Sequence, residues 1–348
     1  SSASSLIKSG AGTVTLTAAN TFSGGTSIGE GSLVLAHANA LQNSTLTVGA
    51  AAPIFDNSVS SHAFALGALA GTKDLALRDS AGTTISLAAG QNNASTFYGG
   101  VLSGAGSLVK QGNGTLTLAG ANTHQGGTTV RAGRLIVSNV LALGTGPAVN
   151  NGTLDFMLSP ATYSGASTAL SGTGTNNITI ANVAGASTYF SGDYRSFTGV
   201  WNVGVATPVS SAGRVVLNGP DNAAATVVVR TNATLLCNVA VQHNASLTLQ
   251  GGNTGESNGQ LRMENSAIWA GSIILAGVFT DSNDGFLGCA SGTGYLCGPI
   301  SDAPGGPFPV GKLGGSTLAI LNTNNTFVGQ LWIRAGTLRA TSIRNVGE

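Results

Sequence analysis

The sequence predicts an all-β chain wound as a parallel β-helix, that is, a β-solenoid. Three observations lead there: short period-two apolar segments, turn residues at nearly every boundary, and a repeat whose matching apolar pairs return after roughly 19 residues, from Val14 to Leu33. Val14 and Leu16 alternate with Thr15, and Leu33 and Leu35 with Val34; Leu116, Leu118, Leu135 and Val137 repeat the pattern. Such alternation buries one face of each strand. Gly-Gly, Asn-Gly, Ser-Gly and Asn-Thr pairs separate the strands and are turn signals. No 3.6-period apolar stripe persists beyond two turns, so helix content should be minimal. A return every ~20–25 residues is too short for a propeller blade of ~40–45 residues and suits a rung stacked at the ~4.8 Å strand spacing. The expected architecture is a single continuous solenoid over residues 1–348, with inward Val14, Leu16, Ile28, Leu33, Leu35, Leu116, Leu118, Val130, Leu135, Val137 and Leu338.

Composition fits this reading. Only 8% of the 348 residues are charged, 42% are hydrophobic, and 52 are Gly, whereas an ordinary domain is about a quarter charged. The solvated surface must therefore come from Ser, Thr, Asn and Gly. Net charge is +1, from 14 basic and 13 acidic residues scattered singly, which leaves no basic stripe for nucleic acid. Apolar runs such as residues 273–279 stop well short of the ~20 residues of a membrane helix, so no membrane insertion is expected of this segment. The chain starts at Ser1 with no basic or apolar leader, so any export signal lies outside it.

Taken in order, the elements begin with the copy at residues 5–33, which aligns without a gap onto 107–135 with 16 of 29 positions identical. The shared frame is L-[IV]-K-x-G-x-G-T-[VL]-T-L, then A-N-T, G-G-T and G-x-L. Residues 97–106 lead into the second copy. A degraded copy runs from Phe197 to Val215, its Trp201 matching Trp332 in spacing from a Phe. Alternation from Leu235 places Cys237 on an apolar face as a small hydrophobe. A third copy runs from Ser316 to Leu338 with one extra residue before its Asn. Asn20, Asn122 and Asn325 share one frame position. They either ladder at a corner or occupy a left-handed turn. His124 takes the aromatic position held by Phe22 and Phe327, a structural place.

Residues 281–315 stand apart, with two of three Cys and four of nine Pro. They read as a Gly/Pro/Cys-rich loop insertion, either a partner-contact loop presenting Phe286, Tyr295 and Phe308 or a cover pinned by a Cys289–Cys297 disulfide, the bridge being expected on both readings. Asp281, Asn283 and Asp284 resemble a calcium loop in composition, but the register is one residue short and the distal Glu is missing; a turn is the simpler reading. No cofactor is expected. Carboxylates one rung apart, such as Asp56 and Asp79 or Glu264 and Asp284, could meet in space. The four histidines have no Cys or carboxylate at metal spacing.

The frame G-x-G-T-L-T-L-x-x-x-N-T-[FY]-x-G-G-T-x-[IV]-x-x-G-x-L resembles the autotransporter-associated β-strand repeat of Gram-negative autotransporter passengers and large bacterial surface proteins. Copies one and two match it closely. Copy three carries the insertion and Gln330-Leu331 in place of Gly-Thr, and residues 151–310 are covered loosely. The resemblance implies a secreted, right-handed parallel β-helix on the outer cell surface that serves as scaffold. The family's membrane barrel is missing here, which suggests a processed subunit or a segment of something longer.

The expected role is structural rather than enzymatic: an extracellular solenoid that associates with copies of itself head to tail into a filament or matrix. The rung with Leu338 and Ala340 would stack on the rung with Leu6 and Val14 of another copy, joined through open strand edges. The alternatives are a single-chain adhesin that binds surface glycans and, further off, a carbohydrate-active β-helix enzyme.

Overall fold

The computed structural model describes residues 3–158, 162–163, 169–179, 187–204, 214–252, 254–255, 258–279 and 285–341. Among them every regular element is a strand, from two residues (Ile54–Phe55) to nine (Ala63–Gly71). The chain forms two compact units, one built on residues up to Phe156 and the other on residues from Ala169.

In the first unit, strands stack in parallel rows. Tyr98, Leu118, Val137 and Phe156 follow one another in register through Thr96–Tyr98, Thr115–Leu118, Arg134–Val137 and Thr153–Phe156. A second row passes from Ala63–Gly71 through Ser86–Ala89, Ser107–Lys110 and Thr128–Val130 to Ala148–Asn150, with Phe64, Leu87, Leu108, Thr128 and Ala148 aligned. Thr13–Leu16, Ser32–Leu35 and Ile54–Phe55 form a third. Each rung thus repeats the previous rung's apolar phase, and each Leu so covered adds about 1.5–3 kcal/mol. Ile28, Leu33, Leu35, Leu116, Leu118, Val130, Leu135 and Val137 are buried as expected. Val14, Leu16 and Leu338 keep the inward phase but stay partly exposed, each with one neighbouring rung among the described residues.

The second unit uses the same plan. Ile178, Val203, Val229, Leu249, Leu275 and Asp302 stack in one row. Leu235, Leu261 and Leu287 belong to a second. The third runs through Ile268–Trp269, Thr293–Leu296, Thr317–Ile320 and Thr337–Ala340.

This arrangement corrects the expected loop at 281–315. Its described part supplies four strands to these rows: Leu287–Gly288, Thr293–Leu296, Ile300–Asp302 and Val310–Leu313. Glycine there marks close stacking, not a turn-rich insertion: a Cβ on Gly298 would lie 1.7 Å from the Gly271 carbonyl oxygen one rung away. The Cys289–Cys297 disulfide is corrected too, since both are free thiols. The extended strand Thr293–Leu296 lies between them, and at ~3.3 Å per residue it holds them beyond the ~7 Å Cα separation a bridge tolerates. Burial raises the pKa of both thiols. Cys237 is buried in Thr234–Cys237, as its phase implies.

Two devices recur in the repeat. The shared Asn is a cross-rung staple rather than a stacked ladder or a left-handed residue. Asn122 Oδ1 accepts from Leu102 N at 2.8 Å and its Nδ2 donates to Ala142 O at 2.6 Å, twenty residues away in either direction. Asn20 donates to Ala40 O, and Asn325 accepts from Ile300 N. Asn122→Ala should therefore lower the unfolding free energy by about 1–3 kcal/mol, because a buried N–H and a buried carbonyl lose their partners together; urea unfolding of the full chain measures it, and an unchanged midpoint would count against the staple.

The second device is a buried lysine. Lys8, Lys110 and Lys312 are each at most 4% exposed, and among the described residues no carboxylate caps their ammonium groups. Instead, Lys110 Nζ donates to Gln111 O (2.8 Å), Gly112 O (2.9 Å) and, one rung on, Ala132 O (3.2 Å). Lys8 reaches Gly10 O and Glu30 O, and Lys312 reaches Gly314 O, Ser316 O and Ala335 O. Glycine of the G-x-L step closes the cage from the next rung: Gly133 has φ 67°, and a Cβ there would lie 2.3 Å from Gly112 O.

Candidate functional site

The outward face of the second row in the first unit has small side chains. Ala63, Ser86 and Ser107 stand in register across three rungs, with Ala65, Ala88 and Val109 two residues along. A floor this low leaves a cavity of about 400 Å³ against the turns at Ser61–His62 and Thr83–Thr84. An adjoining hollow of about 240 Å³ shares Ser61 and Ser86 and extends to Asn39 and Arg131. Together they form a groove that crosses rungs.

His62 is its most constrained wall residue. Its backbone lies in the left-handed region at φ 46°, which disfavours a residue with a Cβ. One backbone bond holds it there, Ser86 N donating to His62 O at 2.9 Å, and His62 Nδ1 lies 2.9 Å from Asp79 Oδ2 without hydrogen-bond geometry. The Asp79 side chain is fully buried, and its Oδ1 accepts from Ala81 N (2.9 Å) and Thr83 N (2.8 Å). The carboxylate therefore organises the turn beside the imidazole. The hydroxyls of Thr83, Thr84, Ser86 and Ser107 have no protein partner.

The groove was not legible as a site. Asp79 had been matched by rung spacing with Asp56, but Asp56 Oδ1 caps Ser58 N at 2.8 Å. Glu264 pairs with Arg262 at 2.6 Å, and Asp284 lies outside the described residues, as do Asp281 and Asn283. A second His–Asp pair is closed from solvent. His243 Nδ1 lies 3.0 Å from Asp221 Oδ2, and the imidazole stacks on Trp269 at 5.1 Å. Burial alone would lower the His243 pKa, but Cys237 and Asp221 outweigh it and push it up to about 10.

The other expected site residues separate. Phe286 is not an exposed loop aromatic. It is fully buried, edge-on to Phe279 at 4.5 Å. Tyr295 points outward from Thr293–Leu296 and Phe308 precedes Val310–Leu313, both half-buried. Leu6 is half-buried and Ala340 exposed, each on an outermost described rung. Among the described residues no three His, Cys, Asp or Glu side chains are grouped to hold a metal.

Residues 6–35, 108–137 and 311–340 match the passenger-associated-transport-repeat family. Each match contains one of the caged lysines and one of the staple asparagines, so the chain carries autotransporter-associated β-repeats on a β-solenoid. The chain is similar to the adhesin BmaC autotransporter of Brucella suis biovar 1 (strain 1330), with 36% identity over 137 residues, covering 37% of this chain and 4% of that protein. It thus spans a small part of the length of this curated relative. No solved structure matches the chain.

Proposed function

We propose that this chain belongs to an adhesive, non-enzymatic passenger displayed on a bacterial cell surface. The observation that carries this reading is the 36% identity to an autotransporter adhesin, in a chain built on three passenger repeats. The low charge supports it, because a nearly neutral chain approaches other surfaces with little repulsion. Asp155, Asp221 and Glu264 are paired with Arg134, His243 and Arg262, which argues against their use in glycosidase chemistry, where two carboxylates must be free to flank one bond. Beads coated with the full chain should attach to cultured epithelial cells several-fold more than albumin-coated beads. Equal attachment would remove the adhesive reading.

Head-to-tail association is a second reading, favoured by the shared repeat, which gives the rungs at Leu6 and Val14 and at Leu338 the same frame. Sedimentation should then show polymers of wild type and monomers of the Leu338→Lys, Ala340→Lys double variant; monomers of both at high concentration would refute it.

A further inference from the structure

We infer that the groove beside His62 is a binding site for a linear, uncharged oligosaccharide; this inference rests on the adhesive reading and gives that reading a ligand. A neutral sugar chain needs donors and acceptors in equal supply and no net charge opposite it. The hydroxyls of Thr83, Thr84, Ser86 and Ser107 can play either role, and none is engaged by the protein. His62 adds an imidazole to the groove wall, 2.9 Å from an Asp79 carboxylate that is itself fixed by two backbone N–H groups. His62 is also the strained non-glycine residue of the groove wall, as in sites where the surrounding fold maintains local strain.

The shape points to the same ligand. Ala63, Ser86 and Ser107 step along the floor at the rung spacing of ~4.8 Å, close to the length of one pyranose unit, so an extended sugar chain would place one ring per rung. A protein partner would need an apolar anchor to grip. Here the large lining side chains, Phe64 and Ile85, are at most 2% exposed and belong to the core. Arg131, the charged residue of the adjoining hollow, lies at its far edge from Thr83 and Thr84 and leaves the main cavity uncharged apart from the His62–Asp79 pair.

The test titrates ¹⁵N-labelled full chain with cellohexaose, maltohexaose and chitohexaose. At least one should shift the amides of Ser61, His62, Thr84 and Ser86, and its affinity should fall at least tenfold in Ser86→Trp, which fills the floor, but not in Thr117→Trp, which adds the same bulk elsewhere. Ser107→Trp repeats the block from the neighbouring rung should Ser86→Trp fail to fold, and the wild-type shift map needs no variant. Absence of binding by all three sugars, shifts away from the groove, or equal binding by the filled variants would overturn the inference. Bead attachment separates the two claims. Wild-type and Ser86→Trp beads that attach equally would defeat the groove and leave adhesion standing, whereas wild-type beads that attach no better than albumin would defeat adhesion itself.

Discussion

Replacing Lys110 with Met is expected to lower the unfolding free energy by about 2–4 kcal/mol, a large effect for removing a charge from an interior. Exchanging a buried ion pair for apolar groups is often neutral because both charges leave together. Here the partners are the carbonyls of Gln111, Gly112 and Ala132, which no side-chain substitution removes. Met fills the volume and strands three acceptors, each costing about 1–3 kcal/mol, while relief of the ammonium's desolvation returns part of that. Burial pushes the Lys110 pKa down to about 8, so the group is still protonated at neutral pH, and the carbonyl cage is what makes that charge tolerable. Urea unfolding of the full chain, with hydrogen exchange read over residues 107–137, measures the effect. Loss of protection centred on those residues is expected; a neutral or stabilising outcome would mean the cage is incidental to stacking.

Acid should destabilise the protein partly through His124, and His124→Phe should remove that part. The ring is fully buried with Nε2 2.9 Å from Thr128 Oγ1, and burial pushes its pKa down to about 4. An unfolded histidine titrates near 6.5, so between about pH 6.5 and 4 the unfolded chain binds more protons and stability rises with pH. His124 thus contributes fully above pH 6.5 and loses about 2–3 kcal/mol as the pH falls to 4. His243 has the opposite sign. With its pKa raised to about 10, its stabilisation is present below pH 6.5 and lost as the pH rises through 10, so it cannot mimic the acid loss. Phe already fills this frame position, buried, at Phe327, and Thr128 Oγ1 keeps its bond to Leu143 O. Thermal midpoints of wild type and variant should converge at pH 7 and separate by pH 4.5, the variant being higher. Parallel profiles would show that the folded ring takes up its proton as readily as the unfolded one, and would contradict the depressed pKa.

The fold was legible because stacking rewards the same alternation on every rung, so Leu33, Leu116 and Leu135 announce their burial without any neighbour being known. Lys8 and Lys110 were visible in L-[IV]-K-x-G-x-G yet silent, since Lys is rarely interior; the carbonyls that hold Lys8 come in part from the next rung, at Glu30. Residues 285–315 misled for a related reason. Glycine and proline ordinarily mark turns, but Gly288 and Gly298 lie against the backbone of adjacent rungs. The groove had no sequence signal, because His62 and Asp79 are joined by the coil's return rather than by a motif, and its floor reads as plain alanine and serine.

The central claim is that rungs stack in parallel with the register given by the repeat. It is tested most directly by cross-linking Thr117→Cys with Ile136→Cys, outward-facing partners on adjacent rungs, in a background where Cys237, Cys289 and Cys297 are replaced by Ala. Oxidation should close this pair nearly completely and leave the pair Thr115→Cys with Ile136→Cys, two residues out of register, largely open. Equal closure of both pairs, or closure of the second alone, would contradict the stacking on which the cages, the staples and the groove all depend.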